Sequence, residues 1–321
     1  MRVLVHIDDA EQWREALAKR LPEAEVITSA APLEQRRRAD YLAVWKPSAE
    51  LLGEPVALKG IVNLGAGVDA LLNNPALPRD VPIVKLRDAG MAELIGDYVR
   101  YGLLHFQRDF DRYRRQQARH QWREHAVVDK ADWPVGVLGL GAIGAKVAAM
   151  VAADGFPVHG WSRSPKSLPG IHCHHGVAGL EALLERVKSL VLLLPDTPST
   201  HHIIDADALA RLPEGASLIN PGRGTLIDEA ALLDALGENE DESGGAGEGE
   251  AKGRLRGALL DAFPEEPLPE ASRLWSHPRV WVTPHMAGPT PLEEALDQVA
   301  EALRAFEAGA PVDTVDPQAG Y

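Results

Sequence analysis

Residues 133–153 read WPVGVLGLGAIGAKVAAMVAA. An apolar run over 135–138 meets glycines at Gly139, Gly141 and Gly144, and a helical stretch over 143–153 follows without a loop. A buried strand that turns straight into a helix puts the helix N-terminus at the strand's carboxyl end. Free N–H groups there face outward and suit an anion. Gly139 permits the tight turn, Gly141 lets the backbone approach a pyrophosphate, and Gly144 lets the helix lie close to the strand. Ala142 and Ile143 complete the expected contacts. The expectation is a dinucleotide-binding unit.

The rest of the chain repeats the strand and helix alternation. Residues 2–7, 39–45, 60–64 and 81–86 read as strands before the glycine motif. Residues 156–161, 190–194, 217–220, 257–260 and 280–283 read as strands after it. Helical patterns fill the gaps, at 11–20, 205–212, 228–236 and 292–308. This predicts an α/β fold of parallel sheets with helices on their faces. A chain of 321 residues fits two domains. Residues 91–116 read as one long helix, with Ile95, Val99, Leu103, Phe106 and Phe110 on a single apolar stripe. Residues 237–253, GENEDESGGAGEGEAKG, are too acidic and Gly-rich to bury a core and read as a flexible surface insertion.

Charge narrows the partners. The formal net charge of -14 argues against nucleic acid, which needs a basic surface. An acidic substrate must then be held by local cations and backbone N–H groups. No apolar run reaches the roughly 18 residues of a membrane span, and Asp8, Asp9 and Glu11 sit where a signal peptide needs apolar residues. The single Cys173 fits a reducing compartment, so a cytoplasmic protein without membrane contact is expected.

Two further regions carry chemistry. The strand over 156–161 runs into Gly160-Trp161-Ser162-Arg163-Ser164-Pro165-Lys166. An NAD site usually places an acid there for the ribose 2′-OH. Here a hydroxyl and two cations stand instead, which favours NADP(H) over NAD(H), with Ser162, Arg163 and Lys166 around the 2′-phosphate. A solvated basic turn is the plainer alternative. The second region is a set of three strand ends: Asn220-Pro221-Gly222-Arg223, Asp261 through Glu266, and Thr283-Pro284-His285. Each alone has a bland explanation. Together they match the needs of hydride addition to a carbonyl. A histidine can protonate the oxygen, a carboxylate can orient it, and an arginine can polarise the carbonyl and clamp a carboxylate. His285, Glu266 and Arg223 are assigned those roles. Small residues at Gly65, Ala66 and Gly67, after Leu64, would let N–H groups approach a second anionic group.

The set GLGAIG, LLLPDTPST, NPGRG, LDAFPEEP and TPHMAG resembles the D-2-hydroxyacid dehydrogenases over nearly the whole chain. GAGVD, AGMAELIGDYV, the Trp45-Lys46-Pro47 turn and Trp161-Ser162-Arg163 look most like the glyoxylate/hydroxypyruvate reductase branch. The resemblance implies two Rossmann-like domains with the active site in the cleft between them. The substrate domain would be discontinuous, 1–98 with 286–321, around a dinucleotide-binding domain at 99–285. It implies catalytic roles for Arg223, Glu266 and His285, and a substrate-carboxylate loop at Gly65, Ala66 and Gly67. Trp45, Leu64 and Met91 would contact the substrate, a small 2-oxoacid. Leu194, Pro195, Thr200, Pro221 and Gly222 would contact the cofactor, and Asp261 its nicotinamide amide. A homodimer through the nucleotide domain is also implied. The acidic insertion departs from the family pattern, and the missing acid after the second strand departs from its NAD-using branches, which fits a preference for NADPH.

Other readings stay open on these residues. An NAD-dependent dehydrogenase of another 2-hydroxyacid uses the same parts, and so does a non-enzymatic, cofactor-sensing binding protein on this fold. His172-Cys173-His174-His175, crowded in one loop, does not offer the converging ligands of a zinc site, and no metal is expected.

Overall fold

The computed structural model describes residues 1–237, 253–317 and 320. The acidic insertion expected at 237–253 lies, apart from its two end glycines, outside the described residues. The chain divides into two compact units: Met1–Met91 with Thr290–Tyr321 (unit 1), and Ala92–Pro289 (unit 2). Among the described residues, no helix is long and apolar enough to cross a membrane.

Unit 1 is built on one parallel sheet of β1 (Arg2–His6), β2 (Glu25–Thr28), β3 (Tyr41–Val44), β4 (Gly60–Asn63) and β5 (Ile83–Lys85). The order is β2-β1-β3-β4-β5. β3 and β4 are buried throughout, which is why neither alternates apolar with polar residues; the one polar residue, Asn63, closes β4. β2 escapes a sequence reading because it is a short edge strand with only Val26 and Ile27 buried. The helix Leu292–Glu307 returns to this sheet from the far end of the chain. It buries Leu296, Val299 and Leu303, and its Phe306 ring lies over Gly60 and stacks on Tyr41 at 5.8 Å. Arg20 on the first helix, Ala10–Arg20, bonds Glu293 at 2.6 Å and Asp297 at 2.7 Å.

Unit 2 carries a second parallel sheet: β6 (Val135–Leu138), β7 (Val158–Ser162), β8 (Ile171–His175), β9 (Ser189–Leu192), β10 (Ala216–Asn220), β11 (Leu255–Leu260) and β12 (Val280–Val282). Its order is β12-β11-β10-β9-β6-β7-β8. The chain steps outward from β6 through β7 and β8, then crosses back to β9 and steps the other way. The loops leaving β6 and β9 therefore diverge, and such a reversal opens a crevice at the carboxyl ends of the strands. The residues 172–175, expected in a loop, form β8 instead. Their one-in-two alternation puts His172 and His174 on one face with His159 of β7.

The stretch expected as one helix over 91–116 is two, Met91–Gln107 and Phe110–Ala118. Ile95, Val99, Leu103 and Phe106 are buried as the stripe requires, each contributing about 1.5–3 kcal/mol. Gly102 fits beneath Ile219 and Leu259, and Phe106 fits against Gly257, so this face packs on β10 and β11. Phe110 is 55% exposed, because the helix breaks before it. The cause is distant in sequence. Arg256 of β11 bonds Asp109 at 2.6 Å and Asp111 through its Nε at 2.9 Å, all three nearly buried. Asp109 takes a left-handed conformation, φ 59°, to present its carboxylate. A buried ion pair left without one partner costs several kcal/mol, more than the helical bonds lost at the break.

Candidate active site

The glycine turn after β6 is as compact as its spacing predicts. Gly139 sits at φ 104°, a region glycine alone enters freely, with Leu193 against its α-carbon. A methyl group at Gly144 would overlap the Gly139 carbonyl, so the helix Ala142–Ala153 lies directly on the turn. Gly141 differs, with open space where its side chain would stand. Gly141 and Ala142 are exposed and Ile143 half-buried. Two glycines thus serve the fold and one faces outward, an arrangement that fits a pyrophosphate on the helix N-terminus.

After β7, Ser162 is buried and its hydroxyl donates to the Ser164 carbonyl at 2.8 Å. Lys166 reaches over the glycine turn and donates to the Leu140 carbonyl at 2.6 Å. Arg163 is exposed beside them. After β9, Leu194 is buried, and Thr200 donates to the Pro195 carbonyl at 2.6 Å and accepts from Thr197 N–H at 2.9 Å. These two loops flank the glycine turn because β7 and β9 flank β6.

The next loop follows β10. Asn220 is fully buried; its amide donates to the Arg223 carbonyl at 2.9 Å and accepts from Gly222 N–H at 3.1 Å. Pro221 and Gly222 are buried, and Arg223 is half-exposed with extended backbone. Gly224 lies so close to the Phe263 backbone that any side chain there would collide with it. The Arg223 loop is thus packed against the loop that follows β11.

That loop holds Glu266, and the turn after β12 holds His285. His285 Nδ1 lies 2.8 Å from both Glu266 oxygens, with the side chains 33% and 25% exposed. Glu266 Oε1 also accepts from Phe263 N–H at 3.2 Å. A carboxylate on Nδ1 fixes the proton there and leaves Nε2 for chemistry. His285 stands at φ 51°, a left-handed conformation that costs about 1–3 kcal/mol for a residue with a side chain. Asp261, with no exposed surface, brackets that turn. Its Oδ1 accepts from the Thr283 hydroxyl at 2.6 Å and Met286 N–H at 2.9 Å, and its Oδ2 accepts from Ala287 N–H at 2.8 Å. Bonds to a charged acceptor contribute about 1.5–3 kcal/mol each, enough to hold the strained residue.

In unit 1, the loop after β4 is shaped by Asn63. Its buried amide donates to the carbonyls of Gly65 at 2.8 Å and Gly67 at 2.9 Å. The Trp45 ring lies against Gly65, so close that an alanine there would force the ring to move. Ala66 and Gly67 are half-exposed, while Leu64 and Met91 are buried. Thr290 donates to the Leu64 carbonyl at 3.2 Å and touches the Met91 sulfur at 3.9 Å.

Geometry therefore brings together Asp261, Glu266 and His285 within unit 2, with the Arg223 loop against the Phe263 segment and Arg223 Nη1 donating to the Gly222 carbonyl at 3.0 Å, and Trp45, Leu64, Gly65, Gly67 and Met91 within unit 1. Four supporting residues had no assigned role from sequence: Asn63, Tyr98, Asn220 and Thr283. The two asparagines carry a visible signal, since each is the last residue of a buried strand and precedes a small-residue loop. Tyr98 carries none, because its partner Thr283 is far along the chain. Elsewhere, His159 Nδ1 lies 3.1 Å from His174 Nε2 and its ring stacks on His172 at 5.0 Å. Among the described residues no group of three or more His, Cys, Asp or Glu could hold a metal ion.

Known proteins resemble this chain in both sequence and fold. Residues 101–247 and 248–287 match the D-isomer specific 2-hydroxyacid dehydrogenase, NAD binding domain. A glyoxylate/hydroxypyruvate reductase A of Serratia proteamaculans (strain 568) is 40% identical over 319 residues, 98% of this chain and 97% of that one. The D-isomer specific 2-hydroxyacid dehydrogenase of Xanthobacter autotrophicus Py2, solved with NADPH and MES, is 38% identical with a TM-score of 0.89, over 99% of both chains. The NADPH-dependent glyoxylate/hydroxypyruvate reductase of Sinorhizobium meliloti, solved with NADP and sulfate, is 36% identical with a TM-score of 0.88, over 100% of this chain and 99% of that one. The chain belongs to the D-isomer specific 2-hydroxyacid dehydrogenase family, in its glyoxylate/hydroxypyruvate reductase branch.

Proposed function

We propose that this chain reduces a small 2-oxoacid, glyoxylate or hydroxypyruvate, to the 2-hydroxyacid with NADPH. The observation that carries the reading is the His285 and Glu266 pair, held at 2.8 Å after β12 and β11, with the Arg223 loop packed on the same segment. Relatives named glyoxylate/hydroxypyruvate reductase A support the substrate class.

Bound NADPH supplies a hydride to the 2-oxo carbon. The carbonyl pair then moves onto oxygen, and His285 gives that oxygen a proton from Nε2. Glu266 keeps the imidazole oriented while its charge changes. Arg223 stabilises the developing alkoxide and clamps the substrate carboxylate. In unit 1, the N–H groups of Gly65, Ala66 and Gly67 would receive a substrate carboxylate, with Leu64, Trp45 and Met91 as further substrate contacts. Unit 1 is in this reading the substrate-binding domain and unit 2 the dinucleotide-binding domain.

Gly139, Gly141, Ala142, Ile143 and Gly144 would take the pyrophosphate, and Ser162, Arg163 and Lys166 the 2′-phosphate. Ser162 must turn its hydroxyl from Ser164 to donate there. Leu194, Pro195, Thr200, Pro221, Gly222 and Asp261 line the remainder of the cofactor. The preference for NADPH over NADH draws support from relatives solved with NADPH or NADP. A homodimer through unit 2 draws support from the exposed apolar side chains of Leu94, Tyr101, Leu104, Phe110, Trp122 and Val127. A cytoplasmic, reducing setting suits the single Cys173.

The test is loss of NADPH absorbance with glyoxylate and hydroxypyruvate, repeated with NADH. Turnover with both acids, and kcat/KM at least about tenfold higher with NADPH, a ~1.4 kcal/mol preference, is expected. Equal values for the two cofactors would remove the 2′-phosphate assignment. Cofactor binding without oxidation by any 2-oxoacid would leave a binding protein rather than a reductase.

A further inference from the structure

Resting on the reading of His285 as the proton donor, we infer that Tyr98 is a positioning residue for it, acting through Thr283 and Asp261. The three form one hydrogen-bonded line within unit 2. Tyr98, 9% exposed, places its hydroxyl 2.8 Å from Thr283 Oγ1, which lies 2.6 Å from Asp261 Oδ1.

The line has a fixed direction. An ionised carboxylate only accepts, so the Thr283 proton is spent on Asp261. Thr283 oxygen is then left as an acceptor, and the phenol must donate to it. Burial, aided by the nearby Asp261 charge, pushes the Tyr98 phenol above its ordinary range and keeps it a donor.

The far end of the line is what His285 feels. Asp261 holds Thr283 on one side of His285, and Met286 and Ala287 N–H on the other. His285, between these anchors, sits at φ 51°. Its ring meets Glu266 only while that backbone conformation holds. Tyr98 stands on the helix Met91–Gln107, whose packing beneath Ile219 and Leu259 sets the phenol's position. The line therefore ties the helix to the aim of the imidazole. Asp261 serves this by contacts to its own chain, whatever else it touches.

Tyr98→Phe, Thr283→Val and Thr283→Ser separate these roles. In Thr283→Val, kcat should fall about thirtyfold, with NADPH Kd and the 2-oxoacid KM changed less than about threefold. Tyr98→Phe should lower kcat about fivefold, and Thr283→Ser should restore most of the valine variant's loss. The pH dependence of kcat should shift in the first two and return in the serine variant. Nitrogen-15 resonances of His285, assigned by their loss in His285→Ala, read the ring without turnover. They should move or broaden in Thr283→Val and Tyr98→Phe and match the parent in Thr283→Ser. Unchanged kcat and an unchanged His285 signal in both Tyr98→Phe and Thr283→Val would overturn the inference. So would a loss confined to NADPH affinity, which would assign the line to the nicotinamide instead. If the parent protein bound NADPH yet reduced no 2-oxoacid, the reductase reading would fail, and the His285 resonances would still decide whether the line positions the ring. Thr283→Val can fail to fold, but Tyr98→Phe removes a single oxygen and leaves the question answerable.

Discussion

In unit 1, Asn63 closes β4 and takes the carbonyls of Gly65 and Gly67; the loop it shapes presents backbone and apolar side chains. In unit 2, Asn220 closes β10 and ties down Gly222 and Arg223, and the loop it shapes presents a guanidinium. The same residue type at the same place in a parallel strand supports two kinds of surface. A backbone surface cannot titrate, and substitution reaches it only through main-chain shape. An ionisable surface can be edited one side chain at a time. On the proposed function, unit 1 holds the acid through main chain alone, while unit 2 adds an ionisable clamp and a proton donor, so the two units should differ in kinetic signature.

The strongest way to break that division is His285→Ala. Turnover should drop by about 10²–10⁴-fold, while NADPH still binds in a fluorescence titration. Turnover at the parent rate would mean the proton comes from elsewhere. A sharper test sets the two asparagines against each other. Asn220→Ala frees the Arg223 loop and should lower kcat by about thirtyfold. Asn63→Ala should raise the 2-oxoacid KM by about tenfold, with kcat kept within about threefold. If Asn220→Ala moved KM alone and left kcat at the parent value, as expected for Asn63→Ala, the division of labour would be lost.

The smallest effect concerns acid. Burial pushes His105 down to about 4, and burial with neighbouring His172 and His174 does the same to His159; both lie in unit 2. His174 and His277 are also lowered there, against His6 alone in unit 1. An imidazole lowered in the folded state gives its full stability above the unfolded value of about 6.5. That contribution is lost as pH falls from there toward 4, by up to about 1.4 kcal/mol per pH unit for each fully buried ring. Unit 2 should therefore loosen before unit 1. Amide hydrogen exchange at pH 7 and pH 5, corrected for intrinsic rates, reads the order. His105→Phe should narrow the gap between the units, and equal loosening in both would contradict the assignment.

Much of the fold is legible in the sequence. The strand, three glycines and helix at 135–153 needed only local sterics, and those are visible in sequence. Arg223, Glu266 and His285 stand out as candidates because they follow apolar runs that end in loops. What escaped depends on contacts across the chain. The break at Asp109 answers to Arg256, 147 residues away, which no periodicity can register. β8 hid because its His-rich face reads as polar loop. Thr283 reads as the end of one strand and Asp261 as a cofactor contact after another, and only the fold joins them to Tyr98.

The helix Leu292–Glu307 has a consequence for synthesis. On a ribosome, β1 to β5 emerge early, but the Phe306 ring that covers Gly60 and stacks on Tyr41 arrives only after all of unit 2. Domains tend to fold as they emerge. Here the contiguous unit 2 can fold as soon as it has left the ribosome, while the first segment waits with an uncovered sheet face. Nascent chains halted before residue 290 should accordingly be cut by protease within unit 1 and resist it in unit 2. The helix Leu292–Glu307 thus acts as the closing step of a unit that starts with β1.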